Sequence, residues 1–526
     1  MGKRLFWGMA VFAAFIAVAA GARAESGSAA PAETAFAETG HAVRVDGKTL
    51  AYAASAGLLA VPDPATGKAG AEIFFVYYRK KDLREGEIRP LTFAFNGGPG
   101  AASMYLHLAA LGPKTIRRSD DGTVLLPPPY GVVENPNTLL DLTDLVFIDP
   151  VGTGYSRALG DVDPRKFWGV REDLRSISDF IFQFLTVMDR LHSPVFIAGE
   201  SYGGVRGAGL ARVLQDAGIY PVGLVFISPA LDLQNIQWSS MGDRAMVLSL
   251  PSYAAAAWYH KKIAPRLQGD LDKALEEVRE WSASGLLPLF WKGDALSEGD
   301  RGEAAKRLSE YTGIDPRWIL DRNLRIRERE FAGQLLKGEG RSISVYDSRV
   351  TALGPYTGDD NDQGSFLLAG PLKTAMTAYL RDELGFRTDR RYLSGNAEVY
   401  LKWNWETGRA APVNPDSINT GYPDISGDFA QAMNRCRFLK VFIGSGVFDL
   451  EVPYDSVLYT IRHLDVPPER RENVSMKLYP GGHMYYANPE AHRKFKEDLR
   501  AFYRRVLEEL EIGTGAGKQG RSGGRP

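Results

Sequence analysis

Cysteine is nearly absent. Cys436 stands alone in 526 residues, so no disulfide can form within the chain and stability must come from a packed core. Net charge is equally scarce: 63 Lys and Arg face 64 Asp and Glu, and the resulting −1 argues against nucleic-acid or anionic-membrane binding driven by bulk electrostatics. Histidine numbers seven, with no His-x-x-x-His pair and no His/Asp cluster, which disfavours a metal-dependent hydrolase; neither metal nor cofactor is expected. The apolar run Leu5 to Ala20 falls short of the ~20 residues a membrane span needs. Flanked by Lys3-Arg4 and by Ala22-Arg23-Ala24, it fits the hydrophobic region of a secretory signal that is cleaved near Glu25, leaving no stable membrane insertion.

What is present is hydrophobic content of 44%, enough in a chain this long to bury a large core. The expected organisation is a signal peptide (1–24), an Ala/Ser/Glu/Pro-rich flexible leader (25–41), a first core segment (42–227), an insertion (228–428), a second core segment (429–512) and a Gly/Lys/Arg-rich disordered tail (513–526). In the first core segment, strand-like runs such as Leu91 to Phe95, Leu145 to Ile148 and Val195 to Ala198 alternate with helical stretches such as Val170 to Arg190. That alternation predicts an α/β fold with a mostly parallel central sheet flanked by helices. The insertion has amphipathic helical patterns and few strand signals, as a largely helical cap over a site would. Sheet signals resume at Val441 to Gly444 and Val474 to Tyr479, and a helix from Ala491 to Leu510 closes the pattern.

The segment Pro194 to Gly204 reads as a buried strand entering Gly199-Glu200-Ser201-Tyr202-Gly203 and then a helix. A Gly-x-Ser-x-Gly turn of this kind lifts a serine hydroxyl clear of the sheet, which makes Ser201 the candidate nucleophile. A serine needs a base and the base an orienter. His483, on the Gly-rich turn after Tyr479, and Asp449, on the loop after the strand Val441 to Gly444, both sit at strand ends and complete the order Ser, Asp, His. His41, His260 and His463 lack a strand-to-loop break, His107 precedes the nucleophile with no acid nearby, and His192 remains a weaker rival. Asp455 and Asp465 follow turn or helix signals and compete less well than Asp449. Oxyanion donors are expected from the backbone N–H of Gly98, in the glycine loop after the strand Leu91 to Phe95, and from that of Tyr202.

Taken together, Asn96-Gly97-Gly98-Pro99-Gly100, Asn135-Pro136, Asp149 to Ser156, Gly199 to Gly204, Ser445 to Asp449 and Gly482-His483-Met484 resemble the serine carboxypeptidase family of the α/β-hydrolase superfamily, as a bacterial-type exported member. The resemblance spans about residue 70 to about residue 505. It implies the α/β-hydrolase fold and an exopeptidase that removes C-terminal residues through an acyl-serine. It also implies that Asn96 and Glu200 grip the α-carboxylate of a peptide substrate with a free C-terminus. Glu200 can do so only if one of the two acids carries a proton, so binding weakens as pH rises. Two departures stand out. The family's second Glu, two residues before a Gly-Pro, is Ala110 here, and the usual Cys after the glycine loop is Ala101.

Other readings stay open. An esterase or acyltransferase would use the same triad, since an acyl-enzyme forms whether an amine or an alcohol leaves. A non-catalytic exported binding protein would keep the fold without the chemistry. Asp359-Asp360-Asn361-Asp362 is weighed as a calcium loop but lacks the remaining ligands, and Trp403, Trp405 and Tyr422 could either line a specificity pocket or pack the cap against its core.

Overall fold

The computed structural model describes residues 36–236, 242–358, 362–405 and 424–510. The expected signal peptide, most of the leader and the tail lie outside those residues, as do Asp359 to Asn361 and Tyr422. Nine strands form the backbone of one sheet: β1 (Ala37–Val45), β2 (Lys48–Pro62), β3 (Ala69–Lys80), β4 (Leu91–Phe95), β5 (Asp144–Asp149), β6 (Val195–Glu200), β7 (Gly223–Ile227), β8 (Lys440–Gly446) and β9 (Val474–Tyr479). Their spatial order is β1-β2-β3-β5-β4-β6-β7-β8-β9, and a tenth, two-residue strand, Arg157–Ala158, pairs beside β3. The pairings among β1, β2, β3 and β5 are antiparallel; from β5 through β9 all are parallel. Parallel strands covered on both faces need apolar residues throughout, and every residue of β4, β5 and β6 is buried.

The first hairpin differs from expectation. β1 begins at Ala37, inside the stretch assigned to the leader, and β2 is rich in Ala and Leu, residues that signal a strand poorly. Its turn was nonetheless marked in the sequence: Asp46 and Gly47 both have positive φ, 50° and 76°, the hairpin turn that Asp-Gly favours.

Two layers of helix cover the sheet. Val170–Val187 presents Leu174, Ile177, Phe180, Ile181 and Phe184 at helical spacing to one face, with Glu172 and Asp173 in its positive first turn. Gly203–Asp216 joins it there. On the other face, Pro489–Glu509, capped by the Asn488 side chain, packs Phe495, Leu499 and Phe502 beside Leu368, Leu372 and Met376 of Gln363–Asp382. Gln363–Asp382 belongs by sequence to the insertion, yet it buries its apolar face in the sheet's core. A third core lies mostly within the insertion, around Leu250, Tyr253, Val278, Leu308 and Phe331, and includes Phe448, Leu450 and Tyr454 from the segment after β8. Among its described residues the insertion is largely helical as expected, with one short antiparallel ladder, Arg341–Ile343 against Thr351–Leu353.

Candidate active site

Parallel registry fixes the site. Glu200 at the end of β6 pairs with Ile227 at the end of β7, which in turn pairs with Gly444 of β8. Ser201, Asp449 and His483 therefore leave the same edge of the sheet, on the loops after β6, β8 and β9. Ser201 has φ of 60°, a left-handed conformation that costs a non-glycine residue on the order of 1–3 kcal/mol and persists only where surroundings impose it. The surroundings do so: Ser201 N–H donates to Ile227 O at 3.0 Å, and Ser201 O accepts from Gly204 and Ala230 at 2.8 and 2.9 Å. Glycine is required beside it, because a Cβ on Gly199 would come within 2.1 Å of Gly203 O. A Cβ on Gly97 would stand 2.5 Å from the Tyr202 nitrogen, so this glycine leaves that amide uncovered next to the serine.

Behind the serine, His483 Nδ1 lies 2.8 Å from Asp449 Oδ2. Asp449 is 0% exposed, and its Oδ1 accepts the backbone N–H groups of Glu451 and Val452, both at 2.9 Å. Burial opposes charge on His483, but the Asp449 carboxylate and the more distant Glu200 outweigh it and hold the imidazole above its ordinary pKa. The insertion supplies a brace that sequence reasoning missed. His483 N–H donates to Tyr346 O at 2.6 Å, the Tyr346 ring meets the imidazole edge-on at 5.7 Å, and Gly482 N–H donates to Asp347. Asp362, weighed as part of a calcium loop, instead accepts from Ser344 Oγ and Val345 N–H at 2.5 and 2.8 Å, fixing the base of that brace.

One cavity gathers Asn96, Gly98, Glu200, Ser201 and His483, with Tyr105, Asn396 and Tyr400 on its other walls. Glu200 is buried, and its pKa is pushed up to about 7 by that burial, against the opposing pull of His483, Tyr486 and Asn96. Asn96 Nδ2 donates to Glu200 Oε2, while Asn96 Oδ1 accepts Leu106 N–H at 3.1 Å. Tyr486, unremarked in the sequence, donates its hydroxyl to both Glu200 oxygens at 2.8 Å. No spacing rule marks a tyrosine three residues after a histidine as the partner of a glutamate so far away in the chain.

Beneath the cavity, Arg206 is 1% exposed, donates through Nε to Asp173 at 2.6 Å and through a terminal nitrogen to Asn96 O at 2.6 Å, and lies against the rings of Phe95 and Tyr202. Ala110 is fully buried and does not face the cavity; its carbonyl accepts from His492 Nε2 and from Asn135. Trp403 packs edge-on against Tyr202 and donates to its hydroxyl at 3.1 Å, so it braces the elbow from outside the cavity. His107 is buried too, stacked on Phe147 and bonded to Tyr78, away from Ser201. Among the described residues no group of three or more His, Cys, Asp or Glu is placed to hold a metal ion. No helix among them is long and apolar enough to cross a membrane.

Comparison with known proteins returns to the resemblance. The sequence profile of the serine carboxypeptidase family matches residues 47–219, which include Asn96, Gly98, Glu200, Ser201 and Tyr202 and stop short of Asp449 and His483. A carboxypeptidase Y homolog of Arthroderma benhamiae is 33% identical over 141 residues, 27% of this chain and 25% of that protein. The pheromone-processing carboxypeptidase of Saccharomyces cerevisiae is 30% identical over 181 residues, 30% of this chain and 24% of its own length. This chain thus spans about a quarter of the curated relatives it matches. In three dimensions, the crystal structure of a prohormone-processing carboxypeptidase from Saccharomyces cerevisiae aligns over 86% of this chain and 91% of that one, with a TM-score of 0.52 at 16% identity. That likeness establishes the fold, an α/β-hydrolase sheet with flanking helices.

Proposed function

We propose that this chain, an α/β-hydrolase akin to the serine carboxypeptidases, is a serine exopeptidase that removes C-terminal residues from peptides. The observation that carries the reading is Glu200: a buried carboxyl beside the nucleophile, with a pKa near 7, lining the same cavity as Ser201. A carboxyl that holds its proton below that pH can donate to a substrate carboxylate, whereas an ionised one repels it. Carboxylate binding is therefore present below about pH 7 and lost as pH rises through it.

His483 takes the proton of Ser201 as the hydroxyl attacks the scissile carbonyl, then returns it to the leaving amine. Asp449 fixes the tautomer with its proton on Nδ1 and stabilises the imidazolium. The amides of Gly98 and Tyr202 receive the oxyanion, each donor worth roughly 3–4 kcal/mol in the transition state. Water then attacks the acyl-serine by the same route in reverse. Asn96 and Glu200 hold the free C-terminus and so limit cleavage to chain ends. The residues before Glu25 fit export to a periplasmic or extracellular space, where a structure without disulfides relies on its three cores.

The test compares a blocked dipeptide bearing a free C-terminus with its C-terminal amide, using wild type, Ser201→Ala and Glu200→Gln. Wild type is expected to prefer the acid, with stepwise loss of C-terminal residues from longer peptides. Ser201→Ala is expected to release no product, and Glu200→Gln to narrow the preference about 10- to 100-fold, the worth of a hydrogen bond to a charged group. Equal wild-type rates on acid and amide would leave an esterase or acyltransferase as the better reading, and internal cleavage would refute the exopeptidase.

A further inference from the structure

The second acid that the resemblance implies is Ala110 here, which does not line the cavity, and Glu200 takes its hydrogen bonds from Asn96 and Tyr486 instead. We propose that Tyr486 is the specificity-determining partner of Glu200, orienting its acid proton toward the substrate carboxylate and setting the pH above which a free C-terminus is no longer bound. The inference rests on the exopeptidase reading and names the residue that tunes it.

Tyr486 is 0% exposed, and its hydroxyl reaches both oxygens of Glu200 at 2.8 Å. Asn96 Nδ2 adds a second donor on Oε2. Oε2 is met by the Asn96 donor and by the single Tyr486 hydrogen, Oε1 only by a share of the latter, so the carboxylic proton falls to Oε1. Burial and the neighbouring Glu200 charge hold the Tyr486 hydroxyl well above its ordinary pKa, so it stays protonated and donates at every working pH. A second carboxyl in its place would compete for the proton and favour the neutral form of Glu200. A permanent donor favours the anion instead. The other groups facing Glu200 are His483 and Asp449 from the loops after β9 and β8, and Tyr105 and Tyr485, both buried and neutral. None of these donates to the Glu200 carboxyl.

Tyr486 is itself built in. Its carbonyl accepts from Arg118, whose guanidinium also donates to Ala109 O, to Thr115 and, at 3.2 Å, to His492 Nδ1. Because Nδ1 of His492 accepts, its Nε2 carries the hydrogen and donates to Ala110 O at 2.7 Å. Burial, with Arg118 beside it, drives the His492 pKa down to about 3, so this imidazole stays neutral. The half-buried Arg118 and the buried His492 therefore anchor both the backbone at Ala110 and the tyrosine that bonds Glu200.

The decisive measurement is kcat/KM against pH for the free-acid dipeptide and its amide, in wild type, Tyr486→Phe, Glu200→Gln and the double variant, with fluorophosphonate labelling of Ser201 to count folded sites. Tyr486→Phe is expected to move the alkaline limb for the acid substrate up by about one pH unit, with the change carried by KM. Glu200→Gln should remove that limb, and adding Tyr486→Phe to it should then shift nothing. Arg118→Lys, which loosens the anchor and keeps the hydroxyl, should move the limb in the same direction by less. A limb unmoved in Tyr486→Phe, or a shift that survives in the Glu200→Gln background, overturns the role of Tyr486 while leaving the exopeptidase intact. A wild type that treats acid and amide alike overturns both.

Discussion

Ser201 and Glu200 are neighbours in one turn, yet the two sides of the cavity they open are built differently. On the Ser201 side every part comes from the sheet's edge: the elbow after β6, Asp449 after β8 and His483 after β9, with glycines wherever backbone passes backbone. On the Glu200 side the same edge supplies the positions, Asn96 directly after β4 and Tyr486 three residues past His483, but the contacts run between side chains, held in turn by Arg206 and by Arg118 with His492. The lesson is a division of labour. On the proposed reading, the side that would carry the chemistry is fixed by sheet register, which leaves few alternatives, and the side that would recognise the substrate by buried polar contacts that another set of residues could replace.

That contrast can be sharpened first with Asp449→Asn. It should lower kcat about 10⁴-fold on acid and amide substrates alike, because a wrong histidine tautomer harms the chemistry whatever is bound. Unequal losses on the two substrates would mean that the two sides are not separable. Arg206→Met reaches both sides at once, since its guanidinium holds Asn96 and underlies Tyr202. It strands Asp173, a buried acid whose pKa is already raised by burial, and should cost about 3–5 kcal/mol in urea unfolding at neutral pH. The loss should shrink as pH falls and Asp173 takes up a proton; a pH-independent loss would point to packing alone. The smallest effect belongs to Trp403→Phe, which removes one hydrogen bond to Tyr202 and should cost about 1 kcal/mol of stability. Because Trp403 stands outside the cavity, KM for the dipeptides should change less than twofold; a larger change would return it to the substrate pocket.

The same division explains what the sequence could disclose. Gly199, Ser201, Asp449 and His483 were legible because a tight strand-to-helix turn and strand-end loops restrict residue type locally. β4, β5 and β6 were legible as continuous apolar runs, since both of their faces are covered. β2 was not, because its alanines carry no strand preference and only its partners β1 and β3 decide its conformation. Gln363–Asp382 was legible as part of a helical insertion but not as a cover for the sheet, since an apolar stripe does not say which core it joins. Tyr486 and Arg206 were invisible for a stricter reason: their meaning lies in partners that only the fold brings within reach.

Cys436, the lone cysteine, ends the helix Ser426–Arg435 where that helix packs against Gly203–Asp216, the helix that begins at the nucleophile turn. It is 2% exposed, and burial pushes its thiol up to about 11. Near pH 8 only about one thiol in a thousand is then the reactive thiolate. A reagent must therefore wait for the helix to lift away, and with no second thiol to confuse the signal, the labelling rate times that event. The chain carries its own stopwatch for the loosening of the layer beneath its nucleophile.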